Sequence, residues 1–311
     1  MNAPEPRDVV IVGGGPAGLS AALVLGRARR RVLVVDAERP SNAVSDAVGG
    51  LLAWTKSPAA LRRAGRRQLR ELPNVEVANG MVMDVDRHPH GVSVTVARDS
   101  GVERVEARAV LFAQGLRYEP PAIAGIADLW GKSVFHCVFC DGWEMAGRPI
   151  AIRAQGPGAA RMGVLASGWS DDVVLCTDGE TLSDVDRAQV AAAGVRVREE
   201  RIARLDSRRG QLTRIAFQGA PAEEREALFV APERTQPSRL HERAGLELDE
   251  NGLITADEGG RTEVDRVYVA GDASQAVRSV AISIGNGARV GTAMVADLIV
   301  GRLASPAAAR A

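Results

Sequence analysis

Two cysteines, Cys137 and Cys140, are three positions apart, and their spacing is the first feature of this chain that could do chemistry. A C-x-x-C spacing lets two thiols close a small ring and exchange disulfides with a substrate. The same spacing could be half of a zinc site or a buried structural pair. The sequence has no second Cys/His pair at ligand spacing, so we predict a redox pair and no metal site.

The residues that flank the pair could move protons. Asp141 follows the second cysteine directly, and a carboxylate beside a dithiol can take up the proton that leaves when a thiolate forms. His136 precedes the first cysteine and could act in the same way. A histidine at a strand end is as often structural, so both interpretations of His136 stay open. The third cysteine, Cys176, ends an apolar run and is predicted to be structural.

A glycine-rich turn, Gly13-Gly14-Gly15-Pro16-Ala17-Gly18, is the second feature with chemical potential. In such a turn Gly13 permits the tight bend, Gly15 lets the backbone approach a pyrophosphate, and Gly18 permits close packing of helix on strand. The helix that follows would offer peptide N–H groups and the positive end of its dipole to the phosphates. The turn therefore predicts a dinucleotide site.

The elements around the turn form a βαβ unit. We predict a strand over Asp8–Val12, a helix over Leu19–Arg29 and a second strand over Val32–Asp36. Asp36 ends the second strand, where an acidic side chain can accept hydrogen bonds from ribose hydroxyls. With this context on both sides, the glycine pattern indicates nucleotide binding more strongly than it would alone.

Further predicted elements complete the chain. Short alternating strands over 75–113 are typical of an antiparallel meander, and a second hairpin-like stretch covers Ile202–Phe217. The predicted meander strands are Met81–Val85, Val92–Val96, Val102–Ala107 and Ala109–Ala113, and the chain closes with a strand, Arg266–Ala270, and a helix, Val280–Ile299.

The second half repeats the first at an offset of 141 residues. Gly15 falls on Gly156, and the strand Val9–Val12 falls on Ile150–Arg153. An offset that holds from the turn to the end of the next strand indicates a duplicated nucleotide-binding architecture. The order of elements therefore predicts an α/β chain with two such domains.

The second copy of the turn is damaged. Its first glycine is replaced by Ala154, and Thr177 stands where the first copy has Asp36. The next residues include Asp178 and Glu180, which would repel a phosphate dianion. We expect the second domain to be degenerate, although a working NADH site that uses Asp178 stays open.

Composition excludes some classes of function. The 311 residues carry 39 Lys+Arg and 39 Asp+Glu, so the formal net charge is zero and nucleic acid is an unexpected partner. No apolar run approaches the ~20 residues of a membrane span, and the N-terminal residues lack the pattern of a secretory signal. Three cysteines in a long chain do not form a secreted disulfide scaffold. We expect a cytoplasmic protein with no membrane partner.

Together these motifs resemble the low-molecular-weight thioredoxin reductases, whose Cys-x-x-Cys-Asp lies just before the second nucleotide domain. The strand that ends in Gly271-Asp272 also resembles a flavin-contacting segment of that family. The resemblance implies two Rossmann-like, three-layer ββα domains, the second inserted in the first. It predicts an FAD-binding domain over 1–117 with 244–311, and a degenerate NAD(P)-binding-like domain over 118–243 that carries the cysteine pair.

The resemblance also implies roles for particular residues. Cys140 would be the flavin-facing thiol, Cys137 the thiol that exchanges with substrate, and Asp141 the proton donor or acceptor. Asp272 would hold the ribityl chain of FAD, and the family's usual Ala-Thr-Gly is here Ala113-Gln114-Gly115. The predicted FAD-binding residues are Gly13, Gly15, Pro16, Ala17, Gly18, Asp36, Asn42, Gly115, Gly271, Asp272, Ser279 and Val280.

One branch of the family fits the damaged second site. The run His136-Cys-Val-Phe-Cys-Asp-Gly-Trp143 resembles the dithiol oxidases that close disulfides in natural products such as gliotoxin, holomycin and romidepsin. That branch implies a homodimer that oxidises a small-molecule dithiol, with molecular oxygen as acceptor and hydrogen peroxide as product. The alternatives are an NAD(P)H-dependent thioredoxin or disulfide reductase, and a non-enzymatic redox-sensing flavoprotein.

Overall fold

A computed structural model describes residues 6–303, which divide into two compact units. The first unit comprises the chain up to 43, 51–117 and the chain from 234, and the second comprises 44–50 and 118–233. The sequence placed the return to the first domain at 244. The segment 234–243 instead belongs to the first unit, because Leu240 packs into a core cluster of that unit. The predicted ends of the first domain, 1–5 and 304–311, lie outside the described residues.

Strands and helices alternate along most of the chain. The elements as far as the first boundary are β1 (Arg7–Val12), α1 (Pro16–Arg27), β2 (Val32–Asp36), α2 (Pro58–Leu69), β3 (Val75–Asn79), β4 (Met81–His88), β5 (Gly91–Arg98), β6 (Gly101–Phe112) and β7 (Arg117–Glu119). Those that follow to the second boundary are α3 (Ile126–Leu129), β8 (Val134–Phe135), α4 (Val138–Asp141), β9 (Ile150–Arg153), α5 (Ala159–Ala166), β10 (Val173–Cys176), α6 (Asp184–Ala192), β11 (Arg196–Arg198), β12 (Ile202–Arg208), β13 (Gln211–Phe217), β14 (Ala220–Glu224), β15 (Ala227–Val230) and β16 (Glu233–Thr235). The last are α7 (Leu240–Arg243), β17 (Val267–Val269) and α8 (Val280–Ile299).

The first unit is built on a sheet with the strand order β3-β2-β1-β6-β5-β4, and β17 pairs with β6. Strands β2, β1 and β6 run parallel, while β5 is antiparallel to both β4 and β6. Alternate residues of β1 face two different core clusters: Val9 packs with α1 and α8, and Val10 packs with the β4–β5 meander. Both faces of the parallel strands are therefore covered, which gives three layers.

Strand β6 differs from its prediction. The sequence suggested two strands separated at Arg108, but one strand runs from Gly101 to Phe112. The charged residue does not end the strand, because its guanidinium donates to the carboxylate of Asp8 at 3.1 Å and to the carbonyl oxygen of Leu303 at 2.7 Å. One half of β6 therefore pairs in the meander and the other half in the parallel sheet.

The second unit repeats the three layers. Its parallel sheet has the order β11-β10-β9-β15-β8, and the antiparallel strands β12, β13 and β14 form a separate small sheet. One core cluster joins the parallel sheet to α5 and α6, and another joins it to the small sheet. The predicted hairpin over Ile202–Phe217 is therefore part of a three-stranded sheet.

The predicted offset between the two halves is confirmed at the level of single residues. In the first unit Val9 is paired with Val32, and in the second unit Ile150 is paired with Val173, 141 positions further along in both strands. The same shift maps every residue pair of the β1–β2 ladder onto the β9–β10 ladder. The two units therefore share one strand–turn–helix–strand backbone.

Helix α8 lies very close to α1 in the first unit. The Cα of Gly287 faces the backbone of Ala17 so closely that a Cβ added there would overlap its carbonyl oxygen. By contrast, a Cβ on Gly285 of the same helix would meet no atom within 4 Å. Although α8 has 20 residues, no helix within 6–303 combines the length and apolarity that a membrane crossing needs.

The two glycines should respond oppositely to alanine. We expect Gly287→Ala to lower the free energy of unfolding by about 1–3 kcal/mol, because the added methyl forces the helices apart. We expect Gly285→Ala to raise it by about 0.5–1 kcal/mol, because alanine is the better helix former and the space is open. Urea denaturation of both variants with excess FAD would measure this, and equal effects from the two substitutions would contradict the close helix contact.

Candidate active site

In the glycine turn of the first unit, the backbone geometry at each glycine agrees with the role predicted for it. Gly13 has a φ of +108°, and a Cβ there would overlap the carbonyl oxygen of Ala113. A Cβ on Gly18 would overlap the carbonyl oxygen of Gly13, so this glycine permits the close approach of α1. A Cβ on Gly15 would meet nothing within 4 Å, which leaves open space at the start of the helix. A phosphate group could occupy this space.

Asp36 lies at the end of β2, beside this turn. Its side chain is 11% exposed, and the carboxylate packs directly on the Cα of Gly14. One oxygen, Oδ1, accepts from the N–H of Glu38 at 3.0 Å, and Oδ2 accepts from Nη2 of Arg66 at 2.5 Å. Nothing in the sequence pattern had singled out Arg66, because it comes from α2, thirty positions away.

A third part of the same unit lies around Gly271-Asp272. Gly271 has a φ of +76° and donates its N–H to Oδ1 of the buried Asn286 at 2.6 Å. Oδ1 of Asp272 accepts from the hydroxyl of Ser283 at 2.9 Å. Asn286 and Ser283 were not predicted from the sequence, although polar residues on the buried face of a helix are a usable signal.

The predicted FAD-binding residues all belong to the first unit. Gly115 has a φ of +69° and open space at its Cα, like that at Gly15. Ser279 caps α8 by accepting from the N–H of Ile282 at 3.1 Å, Val280 begins that helix, and Asn42 is half-buried in the turn region after β2. Open glycine positions, a helix N-terminus and two carboxylates are a donor and acceptor set that fits FAD. In that fit the turn would hold the pyrophosphate, Asp36 the ribose and Asp272 the ribityl chain.

The cysteine pair lies in the second unit and is oxidised. Cys137 and Cys140 form a disulfide with a Cα–Cα distance of 5.3 Å. Cys137 directly precedes the short helix α4, and its carbonyl oxygen accepts from the N–H of Asp141 at 3.1 Å. The backbone of Gly49 lies against the carbonyl oxygen of Cys140, so that no larger residue would fit there without a shift. Both cysteines are partly exposed, as a thiol that exchanges with substrate must be.

The side chain of Asp141 has an unusual titration. Burial raises the pKa of Asp141 from 3.8 to about 6, and the negative charge of Glu144 adds to the effect. A carboxyl group with this pKa can both accept and donate a proton near neutral pH. The chemistry predicted for Asp141 is therefore available at this position.

His136 is exposed, and its ring packs against two aromatic side chains. The ring centroid of Tyr118 is 4.9 Å from that of His136, and the centroid of Trp130 is 5.9 Å away. These contacts restrict the imidazole beside Cys137. They suit a proton-transfer group and a structural histidine equally.

The disulfide stands beside exposed aromatic residues. Phe139, between the two cysteines, is 70% exposed, and Trp143 is 82% exposed. The Phe139 ring meets Trp169 edge-on at 5.3 Å, and the Trp169 indole packs against Gly142. Apolar side chains beside an exposed disulfide could contact the body of a substrate.

Cys176 is separate from this chemistry. The predicted buried position on a strand is confirmed, because the residue is fully buried in β10. Burial raises the pKa of its thiol to about 12, so it carries no thiolate near neutral pH. Within residues 6–303 no group of three or more His, Cys, Asp or Glu side chains could hold a metal ion.

The glycine turn of the second unit is hydrogen-bonded to a side chain of its own unit. The N–H of Gly156 donates to Oε2 of Glu180 at 2.6 Å. Thr177, the equivalent of Asp36, is fully buried, and its hydroxyl donates to the carbonyl oxygen of Glu180. Asp178 accepts from Nε of Arg153 at 2.7 Å. The peptide N–H that faces open space in a phosphate-binding turn is here bonded to a carboxylate.

Comparison with known proteins covers nearly the whole chain. The sequence profile of the family described as pyridine nucleotide-disulphide oxidoreductase matches residues 7–287. A protein named thioredoxin reductase aclD, from Aspergillus oryzae, is 28% identical over 304 residues, which cover 94% of this chain and 96% of that protein.

Two solved structures are similar throughout. The crystal structure of HlmI matches with a TM-score of 0.90 at 34% identity, and covers 100% of this chain and 97% of its own. A putative thioredoxin reductase, TrxB from Bacillus anthracis, matches with a TM-score of 0.88 at 29% identity, and covers 95% of this chain and 99% of its own. These similarities confirm the predicted fold class, two Rossmann-like domains of the low-molecular-weight thioredoxin reductase type.

The raised pKa of Asp141 predicts a pH-dependent stability. The folded state binds this proton more tightly than the unfolded chain, so stability is lost as pH rises from about 4 to about 6. Because asparagine cannot ionise, the stability of Asp141→Asn relative to wild type should be greater at pH 7.5 than at pH 4 by about 1–3 kcal/mol.

Urea denaturation at the two pH values measures this difference. Glu144→Gln is the matched variant, because it removes the neighbouring charge and should move the transition to lower pH without abolishing it. If the difference between Asp141→Asn and wild type were the same at both pH values, the raised pKa of Asp141 would be disproved.

Proposed function

Because this chain belongs to the pyridine nucleotide-disulphide oxidoreductase family and is an FAD-binding thiol–disulfide oxidoreductase, we propose that it oxidises a small-molecule dithiol to a disulfide. Oxygen is the final acceptor in this proposal, and hydrogen peroxide is the second product. The electrons then enter at Cys137–Cys140 and leave through oxygen, opposite to the direction in an NAD(P)H-dependent reductase.

The observation that carries this proposal is the hydrogen bond from the Gly156 N–H to Glu180. A nicotinamide dinucleotide needs the N–H groups of this turn for its pyrophosphate. Here a carboxylate takes the first of them, and a phosphate brought to the same place would face that negative charge. The buried Thr177 offers no acceptor to a ribose, unlike Asp36 in the first unit. These features support the proposal that the second domain is a scaffold and does not bind a nicotinamide dinucleotide as a hydride donor.

The proposed reaction on the cysteine pair has two exchange steps. A substrate thiolate attacks the sulfur of Cys137, and the bond to Cys140 breaks so that Cys140 leaves as a thiolate. The second substrate thiolate then attacks the substrate sulfur of this mixed disulfide, which closes the substrate disulfide and releases Cys137. The substrate loses two electrons and two protons, and the pair gains the electrons. The chemistry that FAD supplies when bound is acceptance of those two electrons and their transfer to oxygen, which with two protons forms hydrogen peroxide.

Proton transfer falls to the residues beside the pair. The second substrate thiol must lose its proton before it attacks, and Asp141, with a pKa of about 6, is mostly ionised at neutral pH and can accept it. The same group, once protonated, can return the proton to solvent or to a departing thiolate. His136 is the second candidate beside Cys137. The exposed Phe139 and Trp143 suit an apolar small molecule better than a polar peptide surface.

On the family resemblance alone we extend the proposal to a cytoplasmic homodimer. The disulfide chemistry agrees with this placement, since cytosolic disulfides of mesophiles are usually catalytic or redox-sensing. The sensing alternative predicts no steady turnover with any dithiol, so turnover distinguishes it from the enzyme.

Anaerobic reduction of the flavin tests the direction of electron flow. We expect a small dithiol such as dithiothreitol to bleach the flavin absorbance, and NADH or NADPH at the same concentration to leave it unchanged. On admission of air the absorbance should return, with one hydrogen peroxide formed per disulfide. Rapid bleaching by either nicotinamide, and none by the dithiol, would restore the reductase.

Substitution of the exchanging cysteine tests the pair itself. Cys137→Ser should keep bound FAD and lose turnover by at least ~10³-fold, as removal of an essential nucleophile does. Cys176→Ala is the matched control, because its thiol is buried away from the exchange, and its turnover should match wild type. Turnover by Cys137→Ser comparable to wild type would remove the pair from the mechanism.

A further inference from the structure

The ion pair between Arg66 and Asp36 is the starting point for an inference about FAD recognition. Asp36 ends β2 beside the glycine turn, where the adenosine ribose of a dinucleotide is read. Its side chain is 11% exposed, and Nη2 of Arg66 donates to Oδ2 at 2.5 Å. The arginine side chain is itself only 21% exposed, so this is not a loose surface pair.

Each oxygen of the Asp36 carboxylate accepts one hydrogen bond. Oδ1 accepts from the Glu38 N–H, and Oδ2 accepts from Arg66. An ionised carboxylate has about four acceptor positions, and these two hydrogen bonds account for two of them. Two acceptors on one rigid group match the two adjacent hydroxyls of a ribose.

Arg66 is fixed from the other side. Its Nη1 donates to Oδ1 of Asn79 at 2.9 Å, and Asn79 is the residue paired with Asp36 across β2 and β3. Helix α2, which carries the arginine, packs on α1 through Gly65, whose Cα faces Leu19. One guanidinium therefore spans the ends of two strands from a helix packed against the glycine-turn helix.

We propose that Arg66 is a positioning residue for the adenosine half of FAD. It orients the Asp36 carboxylate so that both free acceptor positions face the ribose hydroxyls, and it balances a charge that is nearly buried. The inference rests on FAD binding and not on the direction of thiol chemistry, so it stands or falls separately from the proposed dithiol oxidase.

The experiment uses ADP and 2′,3′-dideoxy-ADP as probes on the full-length apoprotein, by isothermal titration calorimetry. ADP is the adenosine half of FAD, and the dideoxy form lacks the two hydroxyls. Wild type should bind ADP at least about 10-fold more tightly than the dideoxy form, because a hydrogen bond from a hydroxyl to a charged carboxylate is stronger than one between neutral groups. Arg66→Met should weaken ADP and FAD by roughly 10-fold, leave dideoxy-ADP nearly unchanged, and so lose the discrimination.

Matched variants separate positioning from folding. Arg67→Met removes an exposed neighbour on the same helix and should behave as wild type. Arg66→Lys keeps the charge but cannot span Asn79 and Asp36, and its discrimination should be intermediate; it carries the test if Arg66→Met does not fold. Equal weakening of both probes by Arg66→Met would reduce the arginine to a structural role. Tighter ADP binding would show that the arginine competes with the ribose, and either result overturns the proposal.

Discussion

The hydrogen bond from the N–H of Gly13 to the carbonyl oxygen of Val35, at 2.8 Å, extends the β1–β2 ladder one step beyond the strand. It fixes the start of the turn against the end of the neighbouring strand, and so places open backbone beside Asp36. The same bond recurs in the second unit from Ala154 to Cys176 at 3.2 Å. Parallel strands that are covered on both faces leave backbone N–H and C=O groups accessible only at their ends. The carboxyl ends of these strands are therefore where a ligand could contact the backbone of each unit.

The two units use this shared edge differently. An added Cβ would meet no atom at Gly15 of the first unit or at its equivalent Gly156 of the second, so the two turns differ in their hydrogen bonds and not in the space at this glycine. In the second unit Glu180 folds back onto the turn, and Thr177 is buried beneath it. One backbone thus carries two turns, of which the second is hydrogen-bonded to its own carboxylate, and the difference lies in a few side chains after the second strand of each unit.

The limits of the helices and strands could be predicted from the local sequence pattern, but contacts between residues distant in the sequence could not. Strand β2 and helix α8 were predicted to the residue, because apolar period and turn residues set their limits. The continuity of β6 was not predicted, because only the folded structure shows that the guanidinium of Arg108 is paired with the carboxylate of Asp8. The redox pair and its neighbours could be predicted from six consecutive positions, 136–141. The contact of Arg66 with Asp36 could not, because the arginine reaches its partner from a helix thirty positions further along the chain.

The burial of Cys176 makes thiol counting on the native protein informative. With its thiol protonated and enclosed in β10, alkylating reagents meet only Cys137 and Cys140 while the chain is folded. Labels per chain therefore report the oxidation state of the pair as none or two. A third label appears only when the second unit opens, so one reagent distinguishes chemical reduction of the protein from its unfolding.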